Sequence, residues 1–172
     1  VPGDIPLSST VNSTTQGFRV LGGFIGTRDF QMAALRDEVD SMTTTVDIIQ
    51  GLPPSLGLPI LRACVNSRPV HLARTNAPWL TSDCLRAFDR LIDGALLRLS
   101  DCSRRQMPRQ TELVRSLPQS AGGLGIPRLH DIRQSAWTAS WTQALACVNV
   151  YLPRLKNMSF SVPHLTALNE AN

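Results

Sequence analysis

Sixteen of the seventeen basic residues in this 172-residue chain are arginine, and their placement is uneven. Arg62, Arg68 and Arg74 lie in a stretch, 48–82, that contains no acid, and Arg104, Arg105 and Arg109 crowd around Pro108. A guanidinium is a planar fork of donors that pairs bidentately with a phosphate. Arginines fixed on rigid elements therefore suit a nucleic-acid backbone. Trp79, near the first group, adds a ring for base or sugar contact. Residues 1–61 hold three arginines against six acids, giving −3, while residues 62–172 hold fourteen basic against seven acidic residues, giving +7. Arginine clusters also occur on protein-binding surfaces, so charge alone leaves both uses open.

Other chemistry finds less support. The string Ser120-Ala-Gly-Gly-Leu-Gly-Ile-Pro-Arg-Leu-His-Asp131 invites a phosphate cradle. It matches neither the P-loop string nor the dinucleotide G-x-G-x-x-G spacing, and neither does Gly22 to Gly26. His71, His130 and His164 have no nucleophile motif around them, and no G-x-S-x-G occurs. Asp37, Glu38 and Asp40, and likewise Asp89 and Asp93, fall on helix faces rather than converging as two-metal chemistry requires. Cys64, Cys84, Cys102 and Cys147 contain no C-x-x-C pair, which argues against zinc and for free thiols in a reducing, intracellular compartment, cytoplasmic or nuclear. No catalytic and no metal-binding residues are assigned. No apolar run approaches a membrane span, and no Lys/Arg-led apolar run opens the sequence, so no signal peptide is expected. It begins at Val1 rather than Met and is expected to be a fragment of a longer protein.

The elements that must hold these residues are mainly α-helical, with a small β-hairpin near the N-terminus. Residues 1–14 read as an irregular lead-in. The run Gly17–Gly26 reads as two short strands turning at Gly22-Gly23. Leu35, Val39, Met42, Val46 and Ile49 form one apolar stripe, predicting a single helix from Asp29 to Gln50, capped by Asp29 and ended by Gly51 in the left-handed region. Two short helices broken at Ser67–Pro69 follow. A second long helix is expected from Ser82 to Asp101, burying Leu85, Phe88, Ile92, Ala95 and Leu99. Arg86 and Arg90 would alternate with Asp89 and Asp93 on its polar side, and Gly94 would mark a close helix crossing. A short helix from Pro108 to Arg115 precedes an extended Leu117-Pro118. Gly122, Gly123 and Gly125 then turn the chain, with positive φ at one or more of them and Leu124 and Ile126 dropping into the core. A third long helix runs from Asp131 to Val150, with Asp131 and Gln134 as a capping box. The tail breaks at Pro153 and Pro163.

Taken in order, "FRVLGGFIG", a long helix, "ILRACVNSRPVHLARTNAP", "AFDRLIDGALLRL" and "LPQSAGGLGIPRLHDIRQSAWTASW" resemble the C-terminal part of a non-LTR-type retrotransposon reverse transcriptase. The resemblance covers roughly residues 15–148. It implies a primer-grip-like hairpin at Leu21, Gly22 and Gly26 within 1–27. A helical thumb-like bundle would occupy 28–116, and the GGLG turn, long helix and C-terminal helices 117–172. It also implies nucleic-acid contacts from Arg62, Arg68 and Arg74, and then from Arg104, Arg105 and Arg109. The implied partners are an RNA/DNA template–primer duplex and the missing palm domain of the same parent chain, with no membrane. The family's catalytic aspartates lie upstream of the hairpin and are absent here. The segment is thus expected to be inactive alone and to need no cofactor, although the parent RNA-directed DNA polymerase would use magnesium. The alternative is a helical protein-interaction domain with no nucleic-acid role.

Overall fold

The computed structural model describes residues 13–14, 16–101 and 109–151. Two compact units are formed, Val1–Thr138 and Ala139–Asn172. The first opens with a three-stranded antiparallel sheet in the order β1 (Ser13–Thr14), β2 (Gly17–Val20) and β3 (Gly23–Gly26). Helices α1 (Arg28–Asp40), α2 (Thr43–Gln50) and α3 (Pro54–Ile60) follow, then a π-turn at Leu61–Val65. Next come α4 (Val70–Thr75), α5 (Pro78–Leu99), α6 (Arg109–Ser116), a 3-10 turn at Gln119–Ala121 and α7 (Leu129–Tyr151). The second unit contains, among the described residues, the latter part of α7. The protein is therefore mainly helical with a small antiparallel β element at the front.

The apolar stripes form the core. Leu35, Val39, Met42, Val46 and Ile49 are all buried, as are Leu85, Phe88, Ile92, Ala95 and Leu99 of α5. Ile126 and Leu129 join the same cluster, with Leu124, Ile132 and Ala136 packed against it. Burying apolar side chains from α1, α2 and α5 in one cluster is the main favourable contribution, roughly 1.5–3 kcal/mol for each fully buried large side chain.

Several local expectations change. The helix expected from Asp29 to Gln50 is two helices, interrupted at Ser41-Met42. The Ser41 hydroxyl donates to the Glu38 carbonyl at 2.7 Å, and three successive β-branched threonines, 43–45, follow. Both features compete with helix continuation. The apolar stripe passes through the break unshifted, which is why periodicity does not reveal it. The N-cap is Thr27, whose hydroxyl accepts from the Phe30 amide, rather than Asp29. Gly51 ends α2 at φ −83°, not in the left-handed region. Helix α5 begins four residues earlier than expected because Pro78 occupies its first turn, where a missing N–H costs nothing. Gly94 marks no crossing, since nothing lies within 4 Å of where its Cβ would stand. The close approach is at Gly57 in α3, where a Cβ would fall 2.6 Å from Leu99 Cδ2.

The hairpin turns at Leu21-Gly22, one residue earlier than expected, because Val20 pairs with Gly23. Both turn residues have positive φ, 48° and 83°, the arrangement that matches the twist of a two-residue hairpin. Ser13–Thr14, expected within the irregular lead-in, pairs with β2. The expectations for residues 1–12, for Cys102 and for the tail beyond Tyr151, including Pro153, Pro163 and His164, lie outside the described residues.

Candidate nucleic-acid interface

Arg62 owes its position to a defect in helical hydrogen bonding. Pro59 sits inside α3 and donates no backbone hydrogen bond. The chain then widens into the π-turn, closed by the Asn66 amide on the Leu61 carbonyl at 2.9 Å. Arg62 lies in that turn and lines a cleft of about 260 Å3, together with Ser55, Leu58, Gln119, Leu124 and Ile126. Its alkyl stem lies close to Gly125, where a Cβ would meet Arg62 Cδ at 3.4 Å. The glycine-rich string and the first of the predicted arginines therefore share one site. Asn66 ties them further, donating to the Pro127 carbonyl at 3.4 Å.

Arg68 is exposed just before α4, and Arg74 is exposed in its last turn. Helix α4 also holds the hairpin. His71 Nε2 stands 2.8 Å from the Leu21 carbonyl oxygen, and a Cβ at Gly22 would collide with the same imidazole. The Phe24 amide donates to buried Asn76 at 3.1 Å. On the inner face of the hairpin, Arg19 lies over the Phe24 ring at 5.4 Å and pairs with Glu38 at 3.3 Å. The primer-grip-like residues Leu21 and Gly22 are thus brought against the helix that carries Arg74, whereas Gly26 stands at the far end of β3, opposite Gly17. Arg109 begins α6, but its side chain, like Arg104 and Arg105, lies outside the described residues.

The glycine-rich string offers no phosphate cradle. The amides of residues 121 to 126 all donate to carbonyls of residues 114 to 119, at 2.9–3.1 Å. A cradle needs those N–H groups free and pointing outward. Gly122 and Gly125 supply positive φ, 79° and 66°. Gly123 does something different: a Cβ there would run into the Leu117 carbonyl. The string is a tight return that sends Ile126 into the core.

The main polar feature of the unit is one the sequence pattern conceals. Asp89 is not on a solvated face; it is 4% exposed, and Arg115 of α6 is 1% exposed. Arg115 pairs with Asp89 at 3.0 Å and with Asp93 at 2.7 Å, and its Nε donates to the Ile126 carbonyl at 3.2 Å. Arg128 completes the group on Asp93 at 2.6 Å. The Asp89 carboxylate also accepts from the Leu129 and His130 amides, at 3.1 and 2.9 Å. Those are the first amides of α7, which in a helix start without partners. Asp89 is therefore the N-cap of α7, supplied from forty residues upstream, and the expected local capping box at Asp131 is replaced. A helical wheel places Asp89 beside Arg86 and Arg90. Only the packing of α6 against α5 reveals that it faces inward.

The described residues include no group of three or more His, Cys, Asp or Glu side chains placed to hold a metal ion. Among them, no helix is long and apolar enough to cross a membrane. No protein-family model, curated protein or solved structure matches the chain.

Proposed function

We propose that this chain is the thumb and post-thumb part of a non-LTR-type reverse transcriptase, holding a template–primer duplex through Arg62, Arg68 and Arg74. What carries the reading is the docking of the LG-containing hairpin onto α4. His71 meets the Leu21 carbonyl, Asn76 meets the Phe24 amide, and Arg74 stands three residues beyond His71. A primer-grip-like turn and an arginine-bearing helix thereby form one corner, which would hold the Arg74 guanidinium beside the hairpin. A duplex of RNA-like geometry is read by backbone and shape rather than by base edges, which suits arginines on short helices. The outward face of the hairpin supports the missing partner. Phe18, Val20 and Ile25 are exposed there, and Leu21 at its tip is 92% exposed. Those apolar side chains are where a palm domain of the parent chain would pack, and catalysis and its magnesium belong to that domain.

The same face would also serve a helical protein-interaction domain, so the deciding experiment measures nucleic acid directly. Fluorescence anisotropy with an RNA–DNA heteroduplex is expected to show sequence-independent binding that weakens steeply with salt. The Arg62→Ala/Arg68→Ala variant should lower low-salt affinity and flatten the slope of log K against log salt by up to about 2, near 0.9 per phosphate contact. Absence of low-salt binding, or an unchanged slope in the variant, would overturn the proposal.

A further inference from the structure

Helices α5 and α7 bring a second set of groups together, in antiparallel order, within the first unit. Trp79 meets Trp137 edge to face, with ring centroids 6.0 Å apart. One turn along α5, Ser82 Oγ stands 3.4 Å from His130 Nε2, and one turn further Arg86 reaches the same nitrogen at 3.1 Å. The other imidazole nitrogen, Nδ1, faces Asp131 at 3.3 Å. Trp79, Ser82, Arg86 and Arg90 recur at +3, +4 and +4, so they share one face of α5.

The charge on this face is left uncompensated by the network described above. Arg86 and Arg90 are exposed. The acids next to them in sequence, Asp89 and Asp93, are turned inward onto Arg115, Arg128 and the α7 amides. Among the described residues, neither Arg86 nor Arg90 has a carboxylate partner. Arg86 instead donates to a ring nitrogen, a weaker acceptor than an anionic oxygen. Ser82, Arg86 and His130 thus converge on one point with a replaceable acceptor at its centre. The 47% exposed indole of Trp79 stands beside them.

We propose that Ser82, Arg86 and His130, with Trp79 beside them, form a nucleotide site for single-stranded nucleic acid. A phosphate oxygen takes the place of the imidazole nitrogen as acceptor for Arg86 and Ser82. Arg90, one turn on, meets the next phosphate, and Trp79 stacks a base. Guanidinium groups interleaved with an aromatic platform are the recurring means of holding a single strand. The residues and the ligand form differ from those of the duplex contacts proposed for Arg62, Arg68 and Arg74.

Anisotropy with a fluorescent decauridylate tests this, with inorganic phosphate and an oligoglutamate of equal charge as competitors. Arg86→Gln/Arg90→Gln is expected to weaken decauridylate binding at least tenfold at low salt. Trp79→Ala should weaken it by roughly five- to 150-fold, the range for loss of one stacked base. Arg62→Ala/Arg68→Ala should leave it within about twofold, which separates this site from the duplex surface. Circular dichroism keeps the Trp79 result interpretable, and the arginine pair is exposed and carries the test if Trp79→Ala unfolds. Unchanged binding in Arg86→Gln/Arg90→Gln overturns the proposal. Competition by oligoglutamate equal to that of unlabelled decauridylate does so too, because it identifies an acidic-peptide site. Competition by inorganic phosphate as strong, phosphate for phosphate, overturns it as well, because it identifies a simple anion site.

Discussion

Replacing Asp89 by alanine should destabilise the protein by about 3–5 kcal/mol, the cost of removing one partner from a buried ion pair. The magnitude follows from what the carboxylate holds. It faces an arginine that is 1% exposed and accepts the first two amides of α7. Loss of a helix cap alone costs about 0.5–2 kcal/mol. The rest of the effect comes from leaving Arg115 in the interior with Asp93 as its remaining carboxylate. Asp89→Asn keeps an acceptor for the amides but removes the charge, so its cost should be smaller, about 1.5–3 kcal/mol. Urea unfolding followed by tryptophan fluorescence and circular dichroism measures both. Asp37→Ala serves as the control, because Asp37 is exposed and surface changes stay within about 0.5 kcal/mol. Pairing Asp89→Ala with Arg115→Met in a double-mutant cycle should give a coupling of about 1–3 kcal/mol. If Asp89→Ala costs no more than Asp37→Ala, or if the coupling is zero, the carboxylate does not join α5, α6 and α7 as described.

Two further outcomes follow from the turn and from a buried thiol. Gly122→Ala has room for its methyl group but must hold φ at 79°, so thermal unfolding should show a loss of about 1–2 kcal/mol. Gly123→Ala should cost more, because the methyl group meets backbone and forces the return between α6 and Ile126 open. A milder effect at Gly123 than at Gly122 would contradict the steric account. Burial pushes the Cys84 thiol from 9.0 up to about 11, ahead of the opposing backbone hydrogen bonds. Site-resolved alkylation at pH 8 should therefore label the exposed Cys64 and Cys147 well before Cys84. The same shift fixes a sign. The stability contributed by the neutral thiol is fully present below pH 9.0 and is lost as pH rises toward about 11. Early labelling of Cys84 in the folded protein would refute its burial.

What the sequence determined is the set of features that act over one helical turn or one hairpin. The stripes Leu35–Ile49 and Leu85–Leu99 predicted which residues enter the core, because a helix repeats every 3.6 residues whatever it packs against. The glycines at 122–125 and 22 predicted turns, because few other residues accept the backbone angles or the space. Tertiary structure decided everything that depends on a distant partner. The break at Ser41 is invisible to periodicity because the stripe stays in phase across it. Arg62, in the π-turn, reaches its cleft only because a loop sixty residues away packs there. Asp89 and Asp93 have the spacing of solvent-facing acids, and only the approach of Arg115 and the start of α7 turns them inward. That inward turn leaves Arg86 and Arg90, among the described residues, outside any ion pair. A wheel shows which residues share a face; which neighbour covers that face is settled only when the helices meet.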